Sequence, residues 1–179
     1  MALRDISEHK LKQDRLRAMS MSDEMTGLHN RRGFLMLAEQ HARVAQREGV
    51  SFAVVFLDVN GLKTINDTLG HDAGDQSIRS AAKVLRATLR DSDILSHLGG
   101  DEFVVLLVNT DPATHDAIAA RLRQGLIAHN AGEVPAQHLS LSIGISFFDP
   151  GRPLPIAELM VEADRLMYAE KRERRRVSV

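Results

Sequence analysis

The sequence predicts an α+β fold in which helices cover a central mixed or antiparallel sheet. Helix-like apolar patterns are interleaved with only a few strand-like runs, and two of those runs are joined by the glycine-rich turn Gly99-Gly100-Asp101. One hairpin, with helices between the other strands, is typical of this class. The length of 179 residues and the 44% hydrophobic content allow one domain with a sizeable core and a short appendage.

Composition excludes several classes of partner and chemistry. The chain has 23 basic and 24 acidic residues, a formal net charge of −1, so no global field attracts nucleic acid or an anionic membrane. The absence of cysteine excludes disulfides, thiolate nucleophiles and Cys-based zinc sites, and a reducing cytosol is the expected compartment. No apolar run approaches the ~20 residues that span a bilayer, so we expect no direct membrane contact.

The first half of the chain begins with two predicted helices. Residues 1–21 are polar with a loose apolar helical face, which predicts a short amphipathic helix, either a fraying leader or half of a coiled coil. A second helix is predicted after the N-cap Asn30 and ends at Gly49. Residues 51–59 are β-branched and aromatic, which predicts a buried strand that ends in the carboxylate Asp58.

The second half of the chain repeats the alternation of helix and strand. Its apolar spacing predicts a helix, a hairpin, a helix, a strand and a helix, over residues 75–89, 93–108, 112–129, 139–147 and 156–174 respectively. No internal repeat is present.

Three carboxylates are predicted to meet at one end of the sheet. Asp58 ends the first strand, and Asp101 and Glu102 follow the glycine pair on the hairpin turn. Adjacent carboxylates repel unless a cation neutralises them, and hard oxygen donors beside an open loop suit Mg²⁺ with a phosphate ligand. The glycines allow a nucleotide to approach the backbone closely. A strand-ending Asp alone is more commonly a turn or cap residue.

A cationic pair is predicted on the last helix. Lys171 and Arg175 are four residues apart and therefore share one face, where they could hold a polyphosphate. A basic run at the end of a helix is alternatively a solvated face that complements the helix dipole.

Four blocks of sequence carry a family resemblance. The run Gly99-Gly100-Asp101-Glu102-Phe103 resembles the motif that names the GGDEF family, the diguanylate cyclases. Three more blocks resemble the family's opening motif, its Asp-rich block and its closing strand and helix, at residues 23–32, 57–75, and 142–146 with 163–171.

The resemblance implies a domain organisation and a fold. The cyclase domain would occupy residues 22–179, with a core like that of nucleotide cyclases and polymerase palms, which is ferredoxin-like. Residues 1–21 would be a signalling helix or linker, and their sequence resembles the tail of a PAS domain that relays signals from an upstream sensor.

The resemblance also implies catalytic and metal-binding residues. Asp58 and Asp101 would bind two Mg²⁺ ions per GTP, with Mn²⁺ as a possible substitute, together with the backbone carbonyl of Val59. Glu102 would assist in metal binding or deprotonate the attacking hydroxyl, and the sequence leaves both roles open. Gly99 and Gly100 belong to the same catalytic turn.

The nucleotide would be held by two further groups of residues. Asn66 and Asp75 would hydrogen-bond guanine, because a carboxylate accepts from the N1–H and the exocyclic amine of the base. Lys171 and Arg175 would bind the β- and γ-phosphates. The backbone around residues 61–63, which are Gly61, Leu62 and Lys63, would hold the triphosphate.

The implied reaction joins two GTP molecules into cyclic di-GMP with release of two pyrophosphates. Because one domain binds one GTP, the resemblance implies a homodimer, in a bacterial cytosol. Arg90 and Asp93 match the family's R-x-x-D site for inhibition by product, which Arg121 or Arg123 would complete. The tetrapeptide alone is equally typical of a surface ion pair.

The sequence departs from the family pattern at several positions. His97 stands where the family usually has Arg, so that reduced or pH-sensitive activity is expected. Asn60 replaces a common Asp, Leu62 follows Gly61 where an aromatic residue is usual, and Arg174 replaces the Gly before Arg175.

Two alternatives to a cyclase stay open. A catalytically weak or silent domain that binds GTP or cyclic di-GMP would signal through contacts alone. A nucleic-acid polymerase palm also uses adjacent carboxylates to bind metal ions, but the near-zero net charge of this chain disfavours it.

Overall fold

A computed structural model describes residues 21–177. Four strands and five α-helices follow one another in this part of the chain: α1 (Arg31–Glu48), β1 (Phe52–Val59), α2 (Leu62–Leu69), α3 (His71–Thr88), β2 (Ile94–Gly99), β3 (Glu102–Leu107), α4 (His115–Asn130), β4 (Leu141–Phe148) and α5 (Ile156–Val177). Short 3₁₀ turns occur at Pro112–Thr114 and Pro135–Gln137. The predicted helix over residues 1–21 lies outside the described residues except for its last position.

The four strands form one sheet in the order β2-β3-β1-β4. Every neighbouring pair is antiparallel, so the predicted α+β class is confirmed and the antiparallel form of the sheet is the observed one. β1 lies between two neighbours and all eight of its residues are buried, as the prediction of a buried strand requires. The sheet therefore presents two apolar faces, and helices cover both.

Alternation along the strands divides the core into two clusters. On one face, Val55 and Leu57 of β1 pack with apolar residues of α3 and α4, including Leu85 and Leu122. On the other face, even-numbered strand residues pack against α1 and α5. The two helices of the second face contribute both large and small residues to this cluster, among them Phe34, Ala38 and Ala163, which are fully buried.

Helix α1 begins and ends where its sequence predicts. The side chain of Asn30 accepts a hydrogen bond from the Gly33 N–H at 2.9 Å, as an N-cap does. At the other end Gly49 adopts a left-handed conformation, with φ 68°, and its N–H donates to Ala45. The bounds of this helix are therefore set by local capping.

The region between β1 and α3 differs from the prediction. Helix α2 was not predicted, and α3 begins at His71 rather than at residue 75. None of the eight residues of α2 is fully buried, and the segment is shorter than the window over which apolar periodicity identifies a helix. Gly70, with φ 89°, separates the two helices, which then pack against each other as a helical hairpin.

No helix within residues 21–177 has the length and apolar character that a membrane span requires.

Candidate active site

Three acidic residues meet at one end of the sheet. Asp58 is the second-last residue of β1, and its antiparallel partner on β3 is Glu102. The Val59 N–H donates to the backbone carbonyl of Asp101 at 2.9 Å, which holds the hairpin turn against the end of β1. The three carboxylates that were predicted to lie together are therefore close neighbours.

Lys171 of α5 reaches into this acidic cluster. Its Nζ donates to both carboxylate oxygens of Asp58, at 2.6 Å to Oδ1 and 2.7 Å to Oδ2. The same Nζ lies 4.0 Å from Oδ2 of Asp101. The Asp58 side chain is 7% exposed and that of Lys171 is 18% exposed, so solvent screens the pair weakly. Lys171, which was predicted to bind phosphate, thus lies at the carboxylates that were predicted to bind metal.

Burial raises the pKa of two of these carboxyl groups. For Asp58 desolvation is the largest cause, Asp101 adds repulsion, and the hydrogen bonds from Lys171 oppose the rise only in part. For Glu102 desolvation is again the largest cause, with repulsion from Asp101 and Asp164. Because both pKa values lie above their ordinary range, the cluster favours the binding of additional positive charge.

The residues at this edge fit a divalent cation. Asp58 and Asp101 offer carboxylate oxygens beside the backbone carbonyl of Val59, and hard oxygen donors of this kind suit Mg²⁺. The ammonium group on Asp58 shows that the site accepts a cation between its carboxylates. Within the described residues, no group of three or more His, Cys, Asp or Glu side chains could hold a metal ion, so water or nucleotide oxygens would complete the coordination.

The turn between β2 and β3 leaves space for a ligand. Gly99 has φ 121° and Gly100 has φ 58°, and both conformations favour glycine. A Cβ atom at either position would meet nothing within 4 Å. The turn is therefore open on its outer side, next to Asp101 and Glu102.

A groove of about 820 Å³ runs beside the acidic cluster. Lys171 and Arg175 of α5 line one wall, and the loop after β1 lines the other with Asn60 and Gly61. Among the residues predicted to hold the triphosphate, Gly61 lines this groove and adopts a left-handed backbone conformation, with φ 74°. Leu62 instead packs against the core. Lys63 is exposed on the first turn of α2.

The residues predicted to bind guanine lie on the α2–α3 hairpin. The side-chain amide of Asn66 packs directly against Gly74, which precedes Asp75 in α3. Oδ2 of Asp75 lies 3.9 Å from Nη2 of Arg79, one helical turn further on. The hairpin therefore brings the Asn66 amide close to the backbone that carries Asp75, although they belong to different helices.

His97 braces the hairpin turn from inside the protein. Its side chain is 4% exposed, with Nδ1 3.0 Å from Oδ1 of Asp23 and Nε2 3.1 Å from the carbonyl oxygen of Gly100. The ring also packs on Phe103, with 4.7 Å between centroids. Burial alone would raise the pKa of Asp23, but hydrogen bonds from Thr26 and His97 outweigh it, so this pKa is lowered.

The three residues of the predicted product site line one cavity of about 230 Å³, which contains Arg90, Asp93 and Arg121. Both carboxylate oxygens of Asp93 accept hydrogen bonds from backbone N–H groups. Oδ2 accepts from the Arg90 N–H at 2.9 Å and Oδ1 from the Val108 N–H at 3.2 Å. Arg123, the alternative to Arg121, instead donates to Glu170 at 3.3 Å and lines the groove beside Lys171.

Sequence reasoning did not find the contacts that connect these parts. Gly74 precedes the helix predicted over residues 75–89, so no helical pattern marked it as the residue that accommodates the Asn66 amide. Ser140 contacts both Asn60 and Arg174, and no signal in the sequence marked it either.

Comparison with protein families gives one match that covers nearly the whole chain. The model for the family described as "Diguanylate cyclase, GGDEF domain" matches residues 20–177. A probable diguanylate cyclase of Escherichia coli K12, DgcC, is 33% identical over 175 residues, which are 97% of this chain and 46% of the relative. The cyclic di-GMP phosphodiesterase NbdA of Pseudomonas aeruginosa is 35% identical over 156 residues, 87% of this chain and 20% of the relative.

Solved structures show the same architecture. The GGDEF domain of DgcB from Caulobacter crescentus, in complex with c-di-GMP, has a TM-score of 0.77 and 25% identity, and the match covers 86% of this chain and 91% of that one. The chain spans less than half the length of either curated relative named above.

Proposed function

Because the chain belongs to the GGDEF family of diguanylate cyclases, we propose that it condenses two GTP molecules into cyclic di-GMP and two pyrophosphates. The observation that carries this proposal is the placement of the Asp58–Asp101 edge beside a groove lined by Lys171 and Arg175. Carboxylates for a cation and cations for phosphates are then adjacent, as transfer of a phosphoryl group requires.

The chain's own residues would bind and orient the nucleotide. Asn66 and Asp75 would hydrogen-bond guanine on the α2–α3 hairpin, and the Gly61 loop with Lys171 and Arg175 would hold the triphosphate. These contacts would make the site prefer GTP to ATP, because adenine has no N1–H to donate to a carboxylate.

A divalent cation fits between the carboxylates. Asp58, Asp101 and the Val59 carbonyl would hold two ions per GTP, Mg²⁺ or Mn²⁺, and such ions neutralise the charge that develops on phosphate oxygens. Lys171 would leave Asp58 as the cation enters and turn to the phosphates. Glu102, which pairs with Asp58 across the sheet and lies beside Asp101, is the group we propose to take the proton from the attacking 3′-hydroxyl.

The reaction would require two copies of the domain. Each groove holds one GTP, and the 3′-oxygen of one nucleotide attacks the α-phosphate of the other, so a homodimer would hold the pair in line. Because two copies must meet, the rate per subunit should rise with protein concentration. An upstream sensor in a longer protein would set the dimer geometry through the N-terminal segment.

Product inhibition would act through the separate cavity at Arg90. The guanidinium groups of Arg90 and Arg121 line it, and such groups bind phosphates and stack on guanine. Cyclic di-GMP bound there would hold the two domains where their GTP molecules cannot meet. The c-di-GMP complex of the DgcB domain supports a product site in this fold.

The alternative is a silent domain that binds a nucleotide without turnover. A relative that carries a matching segment is named as a phosphodiesterase, so the domain also occurs in proteins named for another activity. The position of Glu102 beside Asp58 and Asp101 favours the cyclase, because a module that only binds GTP needs carboxylates for its cation but no additional group to take a proton.

The deciding experiment incubates the purified protein with GTP and Mg²⁺ and identifies the products by mass spectrometry. We expect cyclic di-GMP with two pyrophosphates for each molecule formed. GTP binding in calorimetry without any product would support the silent domain instead.

A further inference from the structure

Arg174 links the last helix to the loop that follows β1. Its Nη1 donates to the Ser140 hydroxyl at 2.9 Å, and the same hydroxyl accepts from the side-chain amide of Asn60 at 3.0 Å. The Asn60 amide oxygen in turn accepts from the Ser142 hydroxyl at 2.8 Å. Four side chains therefore form one chain of hydrogen bonds from α5 to the residue that precedes Gly61.

A second contact fixes the orientation of the Arg174 guanidinium. Its Nε donates to Glu170 Oε1 at 3.1 Å, one helical turn earlier. The other oxygen of Glu170 accepts from Arg123 of α4 at 3.3 Å. Because the contact with Glu170 already orients the Arg174 guanidinium, the contact with Ser140 costs little additional side-chain entropy.

This chain of contacts spans the groove that would hold the triphosphate. Arg174, Ser140 and Asn60 all line the groove together with Lys171, Arg175 and Gly61. The two walls come from segments that are far apart in sequence, and their relative position determines the distance between the Gly61 loop and the cations of α5. A bond between the walls would reduce the ordering that nucleotide binding otherwise requires.

The geometry points to Arg174 as a positioning residue that, through Ser140, sets the width of the groove for a nucleoside triphosphate. This inference rests on the proposed function of the groove and adds a determinant of selectivity for phosphate-chain length. Arg174 acts on the walls rather than on guanine, so its removal affects a triphosphate much more than a monophosphate.

The test is calorimetric titration of GTP and of GMP into wild type, Arg174→Ala, Ser140→Ala and the double variant. Each single variant should lose about tenfold in GTP affinity, the value of one hydrogen bond to a charged group, and less than about twofold in GMP affinity. The double variant should lose no more than Arg174→Ala, because both substitutions break the same contact. Arg174→Lys, which keeps the positive charge and an N–H donor group but not the planar fork of donors, should recover part of the affinity.

Arg176→Ala is the matched control. It removes an equal charge from the same helix, at a side chain that is 69% exposed and pairs with Glu173 at 3.9 Å. If Arg176→Ala reduces GTP affinity as much as Arg174→Ala, general charge accounts for the effect and the inference is wrong. Equal losses for GTP and GMP, or additive losses in the double variant, would also overturn it. This experiment measures nucleotide affinity and not turnover. If the protein binds GTP but makes no cyclic di-GMP, the proposed function is wrong, and the affinities of the Arg174 and Ser140 variants still test the role of Arg174.

Discussion

The ammonium group of Lys171 contacts both carboxylate oxygens of Asp58, at 2.6 and 2.7 Å, and so joins the last helix to the central strand. The lysine supplies the positive charge that the buried carboxylate requires when no other cation is bound. If Asp58 binds a metal ion as proposed, that ion would displace the ammonium group, and a triphosphate in the adjoining groove would offer the group a new partner. Nucleotide and metal should therefore bind cooperatively.

Replacing Lys171 by Met should affect metal and nucleotide in opposite directions. Without the competing ammonium, Mn²⁺ alone should bind about tenfold more tightly, because a neighbouring positive charge is removed from a weakly screened site. GTP should bind more weakly. Calorimetry with Mn²⁺ alone and with GTP checks both directions, and Arg172→Met, an exposed neighbour, serves as control. Unchanged or weaker Mn²⁺ binding would show that Lys171 does not compete at Asp58.

Gly74→Ala should impair recognition of guanine without unfolding the protein. A Cβ at residue 74 would displace the Asn66 amide, a flexible side chain that can rotate away at little cost. We expect KM for GTP to rise about tenfold, as in Asn66→Ala, with a small change in Tm. The double variant should resemble each single one. A further loss in the double variant would mean that Gly74 acts on something other than Asn66.

Asp23→Asn should reduce stability in a pH-dependent manner. The folded-state pKa of Asp23 is lowered, so its ionised form stabilises the fold above the unfolded pKa, and this contribution disappears as the pH falls through the folded value. At pH 7 we expect a loss of about 1 kcal/mol in the free energy of unfolding. Urea denaturation at pH 7 and at a pH below the folded pKa tests this. A difference that stays constant between the two pH values would exclude the carboxylate as its source.

Arg90→Ala should relieve inhibition by cyclic di-GMP while leaving the initial rate intact. Arg90 is exposed at its cavity, whereas Asp93 is buried and bonded to two backbone N–H groups, so only Arg90 can be removed without structural cost. Progress curves of the variant should be straighter, and calorimetry should show weaker product binding than in wild type. If both measurements match wild type, the cavity has no role in feedback.

The sequence was sufficient to predict elements whose local signals agree with their packing. The helical face of residues 78–89 was predicted by its apolar spacing, and Ile78, Leu85 and Leu89 are buried. In α1, Leu37 and His41 are only partly buried, whereas Phe34, Ala38 and Ala45 are fully buried. Periodicity identifies the helix, but which of its side chains are fully buried depends on how the helix packs on the sheet.

The site could be predicted only as far as strand ends and turns determine it. Asp58 and Glu102 are adjacent because β1 and β3 pair in a register that sets the end of β1 beside the start of β3. The contacts of Lys171 with Asp58 and of Arg174 with Ser140 join residues 113 and 34 positions apart. Such contacts depend on how α5 packs across the sheet, and no local pattern in the sequence specifies that packing.

The central claim is that the Asp58–Asp101 edge carries out the reaction. The most direct test measures the formation of cyclic di-GMP from GTP and Mg²⁺ by Asp101→Ala, with wild type and Asp116→Ala as controls. Asp116 is a fully exposed carboxylate on α4, so its removal takes the same charge away from a surface position. We expect wild type and the control to produce cyclic di-GMP at similar rates and Asp101→Ala to produce none above background while keeping its Tm. Synthesis by Asp101→Ala at the wild-type rate would contradict the assignment of the reaction to the Asp58–Asp101 edge.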